Sequence, residues 1–293
     1  MRVTLASSFQ FMQTEIGRIN EKTADLQKQA ATGKKINEVS DDPTAVRPIL
    51  NYRTQIESSD RYTRNMDAAK TGLKNYDYQL GRAFDLLVQA KEQTVAAGNG
   101  ALRDEDMATM GKIVEGLREE LLGVANSQSD GRYIFAGYEE DTQPFADDGT
   151  FNGDNNTRTL EIAPGEEVDI SVSGEEVFGS LADSDSIFTT LQNISTAMKD
   201  PAIGIDSNDV ESLQEVMDTV SSTRADVGTR INRLESAVSY REKAVLDMKE
   251  FLSDYEDADI VEVSSQLMQQ ETSLKAALAV TTKIGQLSLL DYM

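Results

Sequence analysis

At 293 residues the chain is longer than the common single domain, so one elongated domain with an insert, or two domains, is expected. It contains no His, Cys or Trp, which excludes the usual nitrogen and sulfur metal sites, thiol catalysis, disulfides and every His-dependent acid/base triad. With 28 Lys and Arg against 51 Asp and Glu, the net charge of -23 opposes nucleic acid and anionic membrane surfaces as partners.

No stretch reaches the roughly 18 apolar residues of a membrane-spanning helix. The start, Met1 to Met12, has only short apolar pieces where a secretory signal would carry a sustained run, so no cleaved signal peptide is expected. Charge is unevenly spread. Residues 139–185 hold 14 acids against one base, Arg158, whereas residues 1–35 hold six bases against three acids.

In chain order, residues 9–30 place Phe9, Met12, Ile16, Ile19, Thr23, Leu26 and Ala30 at steps of three and four, which predicts a helix with a coiled-coil seam ending at Thr32-Gly33. Ser40-Asp41-Asp42-Pro43 predicts the next helix start, with side-chain oxygens for free N–H groups and a proline in the first turn. Pro48 predicts a kink or a later start. Leu73, Tyr76, Leu80, Phe84, Leu87 and Lys91 form a second seam, closed by Gly98-Asn99-Gly100. Met107, Met110, Val114, Leu117, Leu121 and Val124 form a third, so residues 62–130 read as a helical hairpin.

From residue 132 the period changes to two. Leu160 and Ile162, then Val168, Ile170 and Val172, alternate with polar residues, and turn signals stand at Asp148-Gly149, Asn152-Gly153, Pro164-Gly165 and Ser173-Gly174. This predicts a small β insert with a core of its own, whose removal leaves the helices intact. Helical spacing returns at Ile187, Leu191, Ile194 and Met198, and a long seam runs from Leu213 to Leu252. A helix over residues 208–253 is about 69 Å long, against about 50 Å for a sphere of this chain length, so an elongated rod is expected. Ile260, Val263, Leu267, Leu274, Leu278, Ile284 and Leu287, with Leu290 beyond, form a last seam.

The fold class read here is mainly α: a rod of long coiled-coil-like helices with a small β-rich insert and terminal helices paired on assembly. Its parts are an N-terminal assembly arm (1–40), a first helical part (41–131), an acidic β insert (132–182), a second helical part (183–253) and a C-terminal assembly arm (254–293). Each arm carries half of a seam, so the two ends are expected to meet and to order against other chains. The expected assembly residues are Phe9, Met12, Ile16, Ile19, Leu26, Ile260, Val263, Leu267, Leu274, Leu278, Ile284, Leu287 and Leu290.

The residues Ala31-Thr32-Gly33-Lys34-Lys35-Ile36-Asn37, Ser40-Asp41-Asp42-Pro43, Leu274 to Thr281 and Leu287-Ser288-Leu289-Leu290 resemble the two ends of the bacterial flagellin superfamily. Within it, Asp130-Gly131-Arg132-Tyr133-Ile134-Phe135-Ala136-Gly137 and Asp141-Thr142-Gln143-Pro144-Phe145 are similar to the hook-associated, FlgL-type junction proteins. The resemblance implies a structural subunit of the flagellum where hook meets filament, with a flagellin filament subunit as the alternative. It implies a FlgK-type junction protein, flagellin and further copies of the chain as neighbours, and delivery to the cell exterior by an export chaperone and the flagellar type III apparatus. No nucleic acid, membrane or cofactor is implied.

Rival readings are weaker. Asp41-Asp42 could be an acid/base pair, but adjacent acids before a proline fit a helix cap. Asp147 to Asp154 offers oxygen ligands for Ca²⁺ yet fails the EF-hand spacing, and a hairpin turn accounts for it. Met107, Met110, Met217 and Met248 sit at helical spacing and read as core filler. No catalytic, cofactor-binding or metal-binding residue is assigned. Because no side chain of ordinary pKa between 5 and 8 is present, thermal stability is expected to be flat from about pH 6 to 8; a steep change near pH 6.5 in melting curves would contradict this.

Overall fold

The computed structural model describes residues 5–98, 103–180, 186–200, 202–205 and 207–290. Seven helices and two small antiparallel sheets occupy them: α1 (Leu5–Thr32), α2 (Pro43–Gly98), α3 (Asp104–Ala125), β1 (Gln128–Ser129), β2 (Arg132–Tyr133), β3 (Thr159–Ala163), β4 (Glu166–Asp169), α4 (Gly174–Phe178), α5 (Ile187–Lys199), α6 (Ser207–Glu256) and α7 (Ile260–Leu290). Two units form, one of residues 1–58 with 243–293 and one of residues 59–242; their boundaries fall within α2 and α6.

α2 begins where the acids predict it. Asp42 Oδ1 accepts from the backbone N–H of Thr44 at 2.9 Å and of Ala45 at 3.2 Å, satisfying two of the free donors of the first turn. Of the two expectations for Pro48, a kink or a later start, the later start is not found: α2 begins at Pro43 and runs on through Pro48. It lies near the N-terminus, where the carbonyl that loses its donor belongs to solvent-exposed Thr44 and water can replace the bond.

In the unit of residues 59–242 the predicted seams become the core. Leu73, Leu80 and Leu87 of α2, Val114 and Leu121 of α3, Leu191 and Ile194 of α5, and Leu213, Val220, Val227 and Leu234 of α6 are all buried in one cluster. The link between α2 and α3, including Asn99-Gly100, lies outside the described residues. α3 packs along α5, closely enough that a Cβ on Gly111 would stand 2.9 Å from the Ser195 carbonyl oxygen. In return, the Ser195 hydroxyl donates to the Gly111 carbonyl at 2.9 Å, so a buried polar side chain is satisfied at the contact.

The β region starts earlier and pairs less than its alternation suggests. β1 and β2 form a two-residue hairpin through Asp130 and Gly131, both with positive φ (52° and 77°), the geometry of a type I′ turn. β3 and β4 pair through Pro164-Gly165 with an irregularity between Glu161 and Ala163. The Ile162 carbonyl there accepts from Arg241 of α6, whose guanidinium also lies 4.4 Å from the centre of the Tyr62 ring. Ile170 and Val172 fall beyond β4. Ser173-Gly174, predicted as a turn, instead opens α4, with Gly174 seated against the Phe135 carbonyl.

The expected separate core of this insert is not found. Phe135, Phe145 and Phe178 are fully buried, and Phe135 meets Tyr76 of α2 edge to face at 5.4 Å, while Phe145 meets Phe188 of α5 at 5.3 Å. These rings belong to the same cluster as the helix seams. Four short strands cannot shield rings of this size, so helices supply the other wall. Asn126, capping α3, holds Phe145 in place: its Nδ2 donates to the Phe145 carbonyl and its Oδ1 accepts from the Phe145 N–H, both at 2.9 Å. Gly137 has φ 69° and lies so close to Asp154 that any Cβ would strike that residue's carbonyl oxygen. Phe145→Ala is therefore expected to cost about 3–5 kcal/mol. In urea unfolding followed by helical ellipticity the midpoint of the 59–242 unit should fall; an unmoved helical transition would mean the cores are separate.

Candidate assembly surface

All thirteen expected assembly residues lie in the unit of residues 1–58 and 243–293. There α1 packs against α7 within one chain, each supplying the half-seam that the other lacks. Among the buried or half-buried positions, α1 carries the stripe Ser8, Met12, Ile16, Ile19, Thr23, Leu26, and α7 the stripe Val263, Leu267, Gln270, Leu274, Ala277, Thr281. Both follow steps of three and four. The polar members are accommodated locally: Thr23 and Thr281 donate to the carbonyls of Ile19 and Ala277 at 2.7 and 2.8 Å.

The pairing sorts the predicted residues. Leu26 and Val263 are buried, at 1% and 6% exposure, and Met12, Ile16, Ile19, Leu267 and Leu274 are half-buried. Phe9, Ile260 and Leu278 are 44%, 47% and 50% exposed. Ile260 and Leu278 stand five helical turns apart on one line beside the α7 stripe, because eighteen residues make a whole number of turns. The side chains of Ile284, Leu287 and Leu290 lie outside the described residues. Phe11, Val261 and Met268 are further exposed apolar side chains of the pair, and they stood outside the predicted seams.

The connections before α2 and before α7 are joined to each other. Gly33, with φ 72°, closes α1, and Lys34 then forms an antiparallel bridge with Asp257. Lys35 N–H donates to the Glu256 carbonyl at 2.8 Å and Ala258 N–H to the Gly33 carbonyl at 2.9 Å. The carboxylate of Glu256, 3% exposed, is ion-paired with Lys34 and with Arg53 of α2. Asp41 Oδ2 accepts from the N–H groups of Asn37 and Glu38, each at 2.8 Å, which fixes the loop ahead of the Asp42 cap. Beside it, Tyr52 stacks on Phe251 at 5.9 Å and lies 6.2 Å from Tyr255.

These backbone donors hold the Asp41 carboxyl below its ordinary range, and the Thr44 hydroxyl with the Thr44 and Ala45 N–H groups does the same for Asp42. A carboxyl depressed in the folded state contributes stability that is fully present above its unfolded pKa and is lost as pH falls through the folded one. Both acids therefore act in the acid range and leave pH 6 to 8 unaffected. They serve as caps and loop braces, not as an acid/base pair. In the Asp147 to Asp154 stretch, Asp148 and Asp154 accept from the N–H groups two residues ahead, as turn residues do. Among the described residues no three of His, Cys, Asp or Glu are placed to share a metal ion.

Comparison with known proteins follows the same division. The profile of the bacterial flagellin N-terminal helical region matches residues 4–140, and that of the C-terminal helical region matches residues 210–293. Together they cover about three-quarters of the chain. The chain belongs to the bacterial flagellin family. Its relatives include flagellar hook-associated protein 3 of Escherichia coli K12, 29% identical over 287 residues, covering 89% of this chain and 90% of that protein. The protein of the same name from Salmonella typhimurium LT2 is 27% identical over 317 aligned positions, covering 99% and 98%. Two solved structures from Legionella pneumophila share the fold: flagellar hook-associated protein-3, with TM-score 0.64, 18% identity and coverage of 70% of this chain and 98% of that one, and the flagellar junction protein FlgL, with TM-score 0.59, 19% identity and coverage of 73% and 100%.

Within this family member, the motif around Lys34 ties the start of α2 to the end of α6 and so sets α1 beside α7. Glu256→Ala leaves Lys34 and Arg53 without their shared carboxylate. Because both cations are about half exposed, the cost should lie between that of a surface and a buried pair, about 1–3 kcal/mol. Loss of amide protection at Lys35 and Ala258 in hydrogen exchange checks it.

Proposed function

We propose that the chain is a structural subunit of the bacterial flagellum at the junction of hook and filament. The observation that carries the reading is the α1–α7 pair: an apolar seam closed within one chain, with Phe9, Phe11, Val261, Met268 and Leu278 left facing outward. Supporting it are relatives named flagellar hook-associated protein 3 that match along nearly their whole length. The work is mechanical, not catalytic. In this reading the outward apolar residues of the pair meet a FlgK-type junction protein on one side and flagellin on the other, with further copies of the chain around the layer. Delivery to the exterior uses an export chaperone and the flagellar type III apparatus. Charge keeps the outer face of the acidic insert in solvent.

A strain lacking its own junction protein tests the reading. Complementation with this chain should restore filaments, and gold-labelled antibody should mark a single band at the hook end. Leu274→Asp combined with Leu278→Asp should still be exported while cells shed flagellin monomers. Continuous decoration of filaments, or long filaments from the purified chain alone, would identify a filament subunit instead.

A further inference from the structure

The loop that carries Phe151 also carries one of the chain's two Asn-Gly steps, Asn152-Gly153; the other, Asn99-Gly100, lies outside the described residues. An asparagine followed by glycine is open to attack on its side-chain amide by the next backbone nitrogen, because glycine has no Cβ to shield that nitrogen. Here packing requires the glycine. A Cβ on Gly153 would stand 2.7 Å from the Phe151 ring and 3.1 Å from the Ala136 carbonyl oxygen, and the Phe151 ring is itself packed 5.1 Å from that of buried Phe145. The backbone on either side is held: the Asn152 N–H donates to the Pro144 carbonyl at 2.7 Å and the Asp154 N–H to the Ala136 carbonyl at 3.1 Å. Between them, the Gly153 N–H and the Asn152 side-chain amide have no hydrogen-bond partner among the described residues, and Asn152 is exposed.

The geometry points to Asn152 as a site of intramolecular modification in the folded chain. The Gly153 nitrogen bonds to Asn152 Cγ and gives up its proton, the Cγ–Nδ2 bond breaks, and the amide nitrogen takes up a proton and leaves as ammonia, which closes a five-membered succinimide. Water then opens either carbonyl–nitrogen bond of the ring, so position 152 becomes aspartate or isoaspartate; water is the one co-reactant. The fold sets the consequence of each product. Aspartate adds a negative charge to a segment, residues 139–185, that already holds 14 acids against one base. Isoaspartate lengthens the main chain by one methylene between two backbone hydrogen bonds, beside a glycine with no spare room. Phe151, the residue before it, forms an antiparallel bridge with Phe145, so the longer chain disturbs that bridge and loosens the aromatic core of the 59–242 unit. The inference needs only the folded chain and water, so its failure leaves the flagellar reading standing.

The experiment is peptide mapping by mass spectrometry on the purified full chain, aged at mildly alkaline pH beside a sample kept unfolded in urea. In the folded chain the peptide containing residue 152 should gain about 1 Da and split into two products, one of which a protein-isoaspartyl methyltransferase labels. Asn152→Gln, whose longer side chain would have to close a six-membered ring, should abolish both the mass gain and the labelling at that peptide. Aged protein should unfold at a lower urea concentration than fresh protein, while aged Asn152→Gln keeps its midpoint, which removes any contribution of Asn99 from the comparison. A peptide still unchanged at residue 152 in the folded chain once the unfolded sample has converted would overturn the site. Equal midpoints for fresh and fully converted protein would overturn its coupling to the aromatic core.

Discussion

An apolar stripe along one side of a long helix has to be covered, and in this chain the two ends cover each other. Neither α1 nor α7 is stabilised enough by its own hydrogen bonds to stand alone in water, since most helical stability in proteins comes from packing an amphipathic face. Joined, they bury Leu26 and Val263 and half-bury the rest of both stripes. The contacts between the two connections bring those stripes into register. The bridge between Lys34 and Asp257 fixes the starting points, and Glu256 binds two cations from two other segments of the unit.

The same constraint explains why the β region is not a detached module. Short two-stranded sheets offer a single apolar face each. Phe135, Phe145 and Phe178 are too large to be hidden between them, and they pack instead against Tyr76, Phe188 and the seams of α2, α3 and α5. The motifs that carry the resemblance to junction-type proteins sit at these points. The Phe135-Ala136-Gly137 step places a ring in the core and then turns with no room for a side chain, and Pro144-Phe145 is held by Asn126.

Charge does different work in the two units. In the 59–242 unit, α6 arginines hold the β3–β4 hairpin and the segment that follows it: Arg233 binds Glu166 at 2.8 Å, Arg230 the Ser171 carbonyl at 3.0 Å, and Arg241 the Ile162 carbonyl. These contacts spend a few of the chain's 28 cations on the most acidic part of the sequence. In the other unit a single buried carboxylate, Glu256, organises two connections. That arrangement fits a subunit whose ends must keep a defined geometry while leaving apolar side chains available to neighbours.

Periodicity alone determined most of the helices, because steps of three and four mark a buried stripe wherever they persist: Leu73 to Leu87, Val114 to Val124, Ile187 to Met198 and Leu213 to Leu252 are all read from spacing and all face the interior. The acids before Pro43 likewise announced a cap, since capping is a local interaction between neighbours in sequence. The partners that set the candidate assembly surface were not legible. Glu256 lies more than two hundred residues from Lys34 and Arg53, and no local pattern relates them. Spacing also could not tell Val263, which is buried, from Ile260 and Leu278, which sit on the flank, because a helix of 3.6 residues per turn drifts away from a seven-residue repeat. Only the position of α1 decides which edge of that broad stripe is covered. The strands were overextended in the reading for a related reason: alternation records which side chains point inward, while pairing depends on where another strand lies, and beyond Ile170, whose N–H still donates to the Arg158 carbonyl at 2.8 Å, the chain leaves its partner and enters α4.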